Sequence, residues 1–291
     1  LPAGPIRLAV AGHAQCEAPC ADLAPQGLGP DRTLAGALGK VAAQAGKPNG
    51  PRMLLYTGGR SKPGGAPQSD AEAGRYAELL GGQPGLPVYP AVGPGESAGG
   101  QTGAYESAFA GFSTPFGSGA APAGVDTSNI PGIGAGPGAR THYAFDSSGA
   151  GGTVRVIVID NSQGSLAASD PYQNPAEAQR PWLASVLADA KARGIPAVVM
   201  DNRNLNPRIT PNVNGASDGA DVAKLLLDGG ASAYVFDRPE ENRAFRIPAG
   251  SATTIPAFGT GSLGYRSPIA NSTSGPDALF GGAGYLLAEI D

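Results

Sequence analysis

The 291 residues are 41% hydrophobic and carry a formal net charge of -4, which supplies apolar surface for one large core or at most two modest ones. Lys and Arg are scattered singly, without the basic stripe that nucleic acid requires, so nucleic acid is excluded as the expected partner. No stretch reaches the ~18–20 consecutive apolar residues of a membrane helix, and the expectation is a single domain over residues 1–291 without a membrane span.

The first apolar run, Ile6–Ala11, is bounded by Pro5 and Gly12 and reads as a short buried strand ending in a turn. A helix over 33–45 places Leu34, Leu38 and Val41 on one face, and Lys47-Pro48-Asn49-Gly50 stops it. A strand at 52–57 ends in Gly58-Gly59. Ser69 followed by Glu72 forms a capping box opening the helix that carries Tyr76, Leu79 and Leu80, and a third strand spans 86–92. Strand, helix, strand, helix, strand is the signature of crossover units in a parallel sheet covered by helices.

From 93 to about 140 the composition shifts to Gly, Ala, Ser and Pro. This segment reads as a loop insertion pinned by Tyr105, Phe109, Phe112 and Phe116, with a flexible linker as the alternative. The aromatics fit a small core under that loop better than a ligand platform. Regular patterning resumes with strands at 142–146 and 154–160, joined by Ser147-Ser148-Gly149. Asn174, Pro175 and Glu177 mark a helix start, and Trp182, Val186, Leu187 and Ala190 form its apolar face. A strand at 195–200, a helix at 218–227 and strands at 231–236, 244–248, 254–258 and 285–290 complete the chain.

The two cysteines, Cys16 and Cys20, admit a local disulfide, free thiols or half of a zinc site. The disulfide is favoured because no second Cys or His pair completes four ligands. A disulfide, low Lys content and the sequon at Asn271, a glycosylation candidate, point to an extracellular or cell-surface location.

Polar residues gather at the strand tips: Gly12-His13-Ala14-Gln15, Gly58-Gly59-Arg60, Gly93-Pro94-Gly95-Glu96, Asp160-Asn161-Ser162, Asp201-Asn202-Arg203 and Asp237-Arg238-Pro239. In order and spacing these tips resemble the calcineurin-like metallophosphoesterases, whose motifs read Asp-x-His, Gly-Asp, Gly-Asn-His-Asp/Glu, Gly-His and Gly-His-x-His. The resemblance covers most of the chain. It implies an α/β fold, a four-layer α/β/β/α sandwich of two mixed sheets flanked by helices.

It also implies two divalent metals about 3.5–4 Å apart, and the ligand positions depart from that pattern. His13 and Gln15 stand where the family has Asp and His, Gly59 where it has the bridging Asp, Pro94 and Gly95 where it has Asn and His, and Asn202 where it has His. The whole chain has two histidines, His13 and His142, and glycine brings no ligand atom. The resemblance therefore implies a catalytically inactive domain with no cofactor. The alternative is a phosphoesterase with one divalent metal in a rebuilt site, its weak candidate ligands being His13, Glu96, Asp201 and Asp237. For His13 a hydrogen-bonded turn residue is the simpler role, and strand-end Asp and Asn commonly cap turns.

No Gly-x-Ser-x-Gly motif occurs, and Gly132, Gly134 and Gly136 lie in the loop insertion with no strand before them. The mixed charges of Arg238 to Arg243 fit a solvated turn. The expected role is a structural or adhesive unit of an extracellular assembly such as a filament, with protein or self contacts through the 93–140 loop. A sugar or anion binder would need an open crevice lined by Asn, Arg and Tyr, whereas side chains filling that crevice would favour the structural role.

Overall fold

A computed structural model of the chain describes residues 5–12, 30–59, 69–81, 85–97, 102–109, 125–128, 130, 141–149, 151–166, 179–205, 219–237, 241–248, 254–260, 279–281 and 285–290. The N-terminal half alternates strand and helix: β1 (Ile6–Ala11), α1 (Pro30–Ala45), β2 (Leu54–Tyr56), α2 (Asp70–Gly81) and β3 (Val88–Pro90). Both β1–β2 and β2–β3 pair in parallel, as crossover helices require. The last strand, β12 (Leu286–Ile290), returns to run antiparallel beside β1, giving a four-stranded sheet in the order β12-β1-β2-β3.

The second sheet has eight strands in the order β11-β9-β10-β8-β7-β6-β5-β4. Its elements are β4 (Val125–Asp126), β5 (Tyr143–Gly149), β6 (Gly152–Val158), β7 (Ala197–Met200), β8 (Ala233–Asp237), β9 (Glu241–Pro248), β10 (Thr254–Thr260) and β11 (Leu279–Gly281). The helices α4 (Gln179–Ala192) and α5 (Gly219–Asp228) are the crossovers that let β6, β7 and β8 pair in parallel.

Three apolar layers follow from strand alternation. In β1, Ile6, Leu8 and Val10 point between the sheets with Val154, Val156, Val158, Val198, Met200 and Val235, while Ala9 and Ala11 face the helices. The small sheet's other face meets Leu34, Leu38 and Val41 of α1 and Tyr76, Leu79 and Leu80 of α2. The large sheet's other face meets Leu183, Val186 and Leu187 of α4 and Val222 and Leu226 of α5. This is the expected α/β/β/α arrangement of two sheets flanked by helices.

Local signals hold where the side chains themselves close the structure. The capping box forms as read: Ser69 N donates to Glu72 Oε2 at 3.0 Å and Glu72 N to Ser69 Oγ at 3.3 Å. Two readings are corrected. Ser147, Ser148 and Gly149 are not a turn but the end of β5, with Gly149 opposite Gly152, so the reversal comes after Gly149, and Gly151 adopts φ 98°. Within 93–140 lie a short helix, α3 (Gly103–Ala108), and the two-residue β4, so the insertion is not wholly irregular.

Tyr105 and Phe109 are fully buried, with ring centroids 4.6 Å apart, and Phe109 sits edge-on to Tyr76 at 5.4 Å. They belong to the main core beneath α2, not to a separate core under a loop. Phe112, Phe116, His13, Cys16, Cys20, Asn271 and the Asn174 helix start lie outside the described residues.

Candidate functional site at the strand tips

The carboxyl ends of β2, β3, β6, β7, β8 and β10 meet at one end of the interface between the sheets, the crevice where this kind of α/β arrangement places ligands. Alternation decides which tip side chains enter it. Thr57 continues the inward series of Met53 and Leu55, Asn202 that of Val198 and Met200, and Asp237 that of Val235. Asp201 continues the outward series of Ala197 and Val199 toward the helices.

The floor of the crevice is occupied by the chain itself. Thr57 Oγ1 and Thr260 Oγ1 lie 2.8 Å apart, and each also approaches a carbonyl at 3.3 Å, that of Ala11 and of Phe236 respectively. Asn202 Nδ2 donates to Thr57 O at 2.7 Å, a second polar link between the sheets. Close approach requires glycine here: a Cβ on Gly12 would lie 2.0 Å from Thr57 Oγ1 and 2.9 Å from Asp237 Oδ1, and one on Gly93 would lie 2.3 Å from Glu96 Oε2. Glu96, Asn202 and Asp237 are 1%, 0% and 2% exposed.

The tip of β2 is bent in a way that bears on metal chemistry. Gly58 and Gly59 have φ of 85° and 80°, the left-handed region where an L side chain is strained. A Cβ on Gly58 would lie 2.7 Å from Ala91 O. The backbone at the bridging-aspartate position is thus shaped for glycine. Among the described residues no three His, Cys, Asp or Glu side chains assemble as a metal-holding group. The residues present there do not fit a bridged metal pair.

Of the four candidate ligands, His13 is outside the described residues, while Glu96 packs against Gly93 and Asp237 against Gly12. Asp201 is engaged elsewhere. Its Oδ1 accepts from Asn202 N at 2.6 Å and its Oδ2 lies 3.0 Å from Tyr234 Oη. Tyr234 Oη also contacts Arg203 O, and one phenolic proton cannot serve two acceptors. A protonated Asp201 resolves the count by donating to Tyr234, which then donates to Arg203 O. Burial pushes the Asp201 carboxyl up to about 8, with the negative charge of Asp160 adding to it against the opposing pull of its hydrogen bonds.

Sequence reading passed over the hydrogen-bonded frame around these groups. Ser97 Oγ meets Ser162 Oγ at 2.7 Å, Gln163 Nε2 donates to Ser97 O at 2.6 Å, and Arg203 Nε donates to Ser162 O at 3.1 Å. Gln179, at the start of α4, clamps Asp160 by accepting from its N at 2.7 Å and donating to its O at 2.6 Å. Burial lowers the Arg203 guanidinium, with Asp201 and Asp160 opposing that drop. The polar tips tie the loops of three strands together. No sequence signal other than strand-end polarity marks them.

No protein-family model matches the sequence, and no curated protein sequence matches it. Solved structures do resemble it. One, described as GAP50, the anchor in the inner membrane complex of Plasmodium, superposes with a TM-score of 0.58 at 14% identity over 98% of this chain and 81% of that one. A dimetal phosphatase from Danio rerio superposes with a TM-score of 0.56 at 10% identity over 99% of this chain and 100% of that one. At such identities the likeness is one of fold, and this chain has the α/β/β/α fold of the phosphoesterase-like proteins.

Proposed function

We propose that the chain is a phosphoesterase-fold domain without hydrolytic activity, serving as a structural or adhesive unit of an extracellular or cell-surface assembly such as a filament. The observation that carries this reading is the filled crevice. Glu96, Asn202, Thr57 and Thr260 occupy the inter-sheet end, and positive-φ glycines stand at the position of the bridging ligand. Hydrolysis by the two-metal route needs a bridged pair of cations to acidify a water and neutralise phosphate charge, and Gly59 at the bridging position offers no ligand atom to hold such a pair. The fold likeness to a protein named as an anchor supports a scaffold role.

The competing reading is a phosphoesterase with a single metal rebuilt around His13, Glu96, Asp201 and Asp237, and the fold likeness to a dimetal phosphatase supports it. Its cost is that Asp201 would have to leave Tyr234 and cross to the other face of its sheet. The experiment is metal content of the purified protein by elemental mass spectrometry, run beside hydrolysis of an aryl phosphate with added manganese. We expect neither metal nor turnover. Near-stoichiometric metal that disappears in His13→Ala, together with turnover, would overturn the scaffold reading.

Partner contacts fall to the part of the 93–140 segment that is not core. Tyr105 and Phe109 are buried and so drop out of the contact set, while Phe112 and Phe116 lie outside the described residues and remain the aromatic candidates for contact with a protein partner or a second copy.

A further inference from the structure

Asn161 presents a polar side chain that no described residue satisfies. It follows β6, the residue is 0% exposed, and neither Nδ2 nor Oδ1 has a hydrogen-bond partner among the described residues. On the adjacent strand β7, Asn202 uses Nδ2 on Thr57 O, while its Oδ1 is buried and lacks a partner. The two residues stand at neighbouring tips: Val158 pairs with Met200, and Ile159 N donates to Met200 O at 2.9 Å. A buried polar group without a hydrogen bond costs about 1–3 kcal/mol, so the whole Asn161 amide and the Asn202 carbonyl oxygen at neighbouring tips require an explanation.

We propose that the tips of β6 and β7 are internally hydrated, with ordered water bonding the Asn161 amide and the Asn202 carbonyl oxygen. The proposal rests on the reading that no metal occupies the crevice. The hydrogen-bond inventory selects the guest. Asn161 Nδ2 needs an acceptor, whereas Asn161 Oδ1 and Asn202 Oδ1 need donors. A metal cation would satisfy the two oxygens and be repelled by the NH2. A phosphate or sulfate would take the NH2 and leave both oxygens without donors. Water donates and accepts, and an internal water commonly makes about three hydrogen bonds to buried polar groups.

The test is a crystal structure of the full chain at about 1.5 Å or better, with and without a manganese soak. Support is a peak about 2.7–3.1 Å from Asn161 Nδ2 that shows no anomalous scattering after the soak. A manganese peak bonded to Asn161 or Asn202 would overturn both the hydration site and the metal-free reading. A dry Asn161 would overturn the hydration site alone. Thermal unfolding of Asn161→Leu gives an independent measure: loss of a bound water lowers the midpoint by about 2 °C or more, whereas relief of a dry amide raises it.

Discussion

Thr57 and Thr260, separated by 203 residues in sequence, meet hydroxyl to hydroxyl at 2.8 Å and join the open end of the two sheets. Each hydroxyl also has a carbonyl within reach, so removing one leaves its partner partly satisfied. Thr57→Val and Thr260→Val should each cost about 1 kcal/mol in urea unfolding, and the double variant less than the sum. Strict additivity would show that the contact contributes nothing of its own.

Gly12 packs against both Thr57 and Asp237. Gly12→Ala should destabilise by about 1–3 kcal/mol, because the methyl overlaps atoms of two buried side chains. A neutral result in the same urea assay would mean that the sheets part at little cost.

Asp201 links stability to pH with a definite sign. An unfolded carboxyl titrates near about 3.9, whereas the folded one titrates at about 8. Between those values the folded state holds the extra proton, so stability falls as pH rises through that window and is level above it. Asp201→Asn mimics the protonated acid toward Tyr234. It should leave stability near pH 4 unchanged and raise it at pH 8.5 by on the order of 2 kcal/mol or more. Equal effects at both pH values would show that Asp201 is ionised throughout.

Arg155 is fully buried within a strand, paired with Asp146 through Nε at 2.7 Å and Nη2 at 2.9 Å and with Asp189 at 2.6 Å. Arg193 reaches the same Asp146 at 2.9 Å. Arg155→Met should cost about 3–5 kcal/mol, and adding Asp146→Leu should recover only part of it, since Arg193 still partners Asp146 in the single variant. The hydrogen bond from Arg155 holds the Asp189 carboxyl below its ordinary value. Its contribution is therefore complete above about pH 4 and is lost as pH falls through the lowered folded value.

The scaffold reading makes a prediction about metal and another about surface. Chelator and millimolar manganese should both leave the unfolding midpoint unchanged, since a bound ion at a hundred times its Kd would add about 2.7 kcal/mol. A rise with manganese would sink that reading. Phe112→Ser with Phe116→Ser should weaken self-association in sedimentation velocity without moving the midpoint, whereas Phe109→Ala should cost about 3–5 kcal/mol.

Much of the fold was legible locally. The box of Ser69 and Glu72, the apolar face of Leu34, Leu38 and Val41, and strands ending in glycine each depend on neighbours within a few residues, and they appear where the sequence places them. The spacing of polar tips likewise led to the phosphoesterase-like sandwich. The failures occurred where distant partners decide. Ser147 and Ser148 have turn composition, yet pairing with Val154 and Thr153 holds them in β5. Gly-rich context around Tyr105 and Phe109 reads as loop, yet contact of Phe109 with Tyr76, and of Tyr105 with Phe109, draws both rings into the core.

The sequence by itself determined the alternation of strand and helix, the glycines at the tips and the absence of the family's histidines, because these are fixed by residue type and short spacing. Only the tertiary structure decided that Asn202 and Asp237 enter the crevice while Asp201 turns toward Tyr234, and that Thr57 finds Thr260. A two-residue period says that neighbours face opposite ways. It does not say which face meets the second sheet, because that choice is made by long-range burial of Val198, Met200 and Val235 against the other layer.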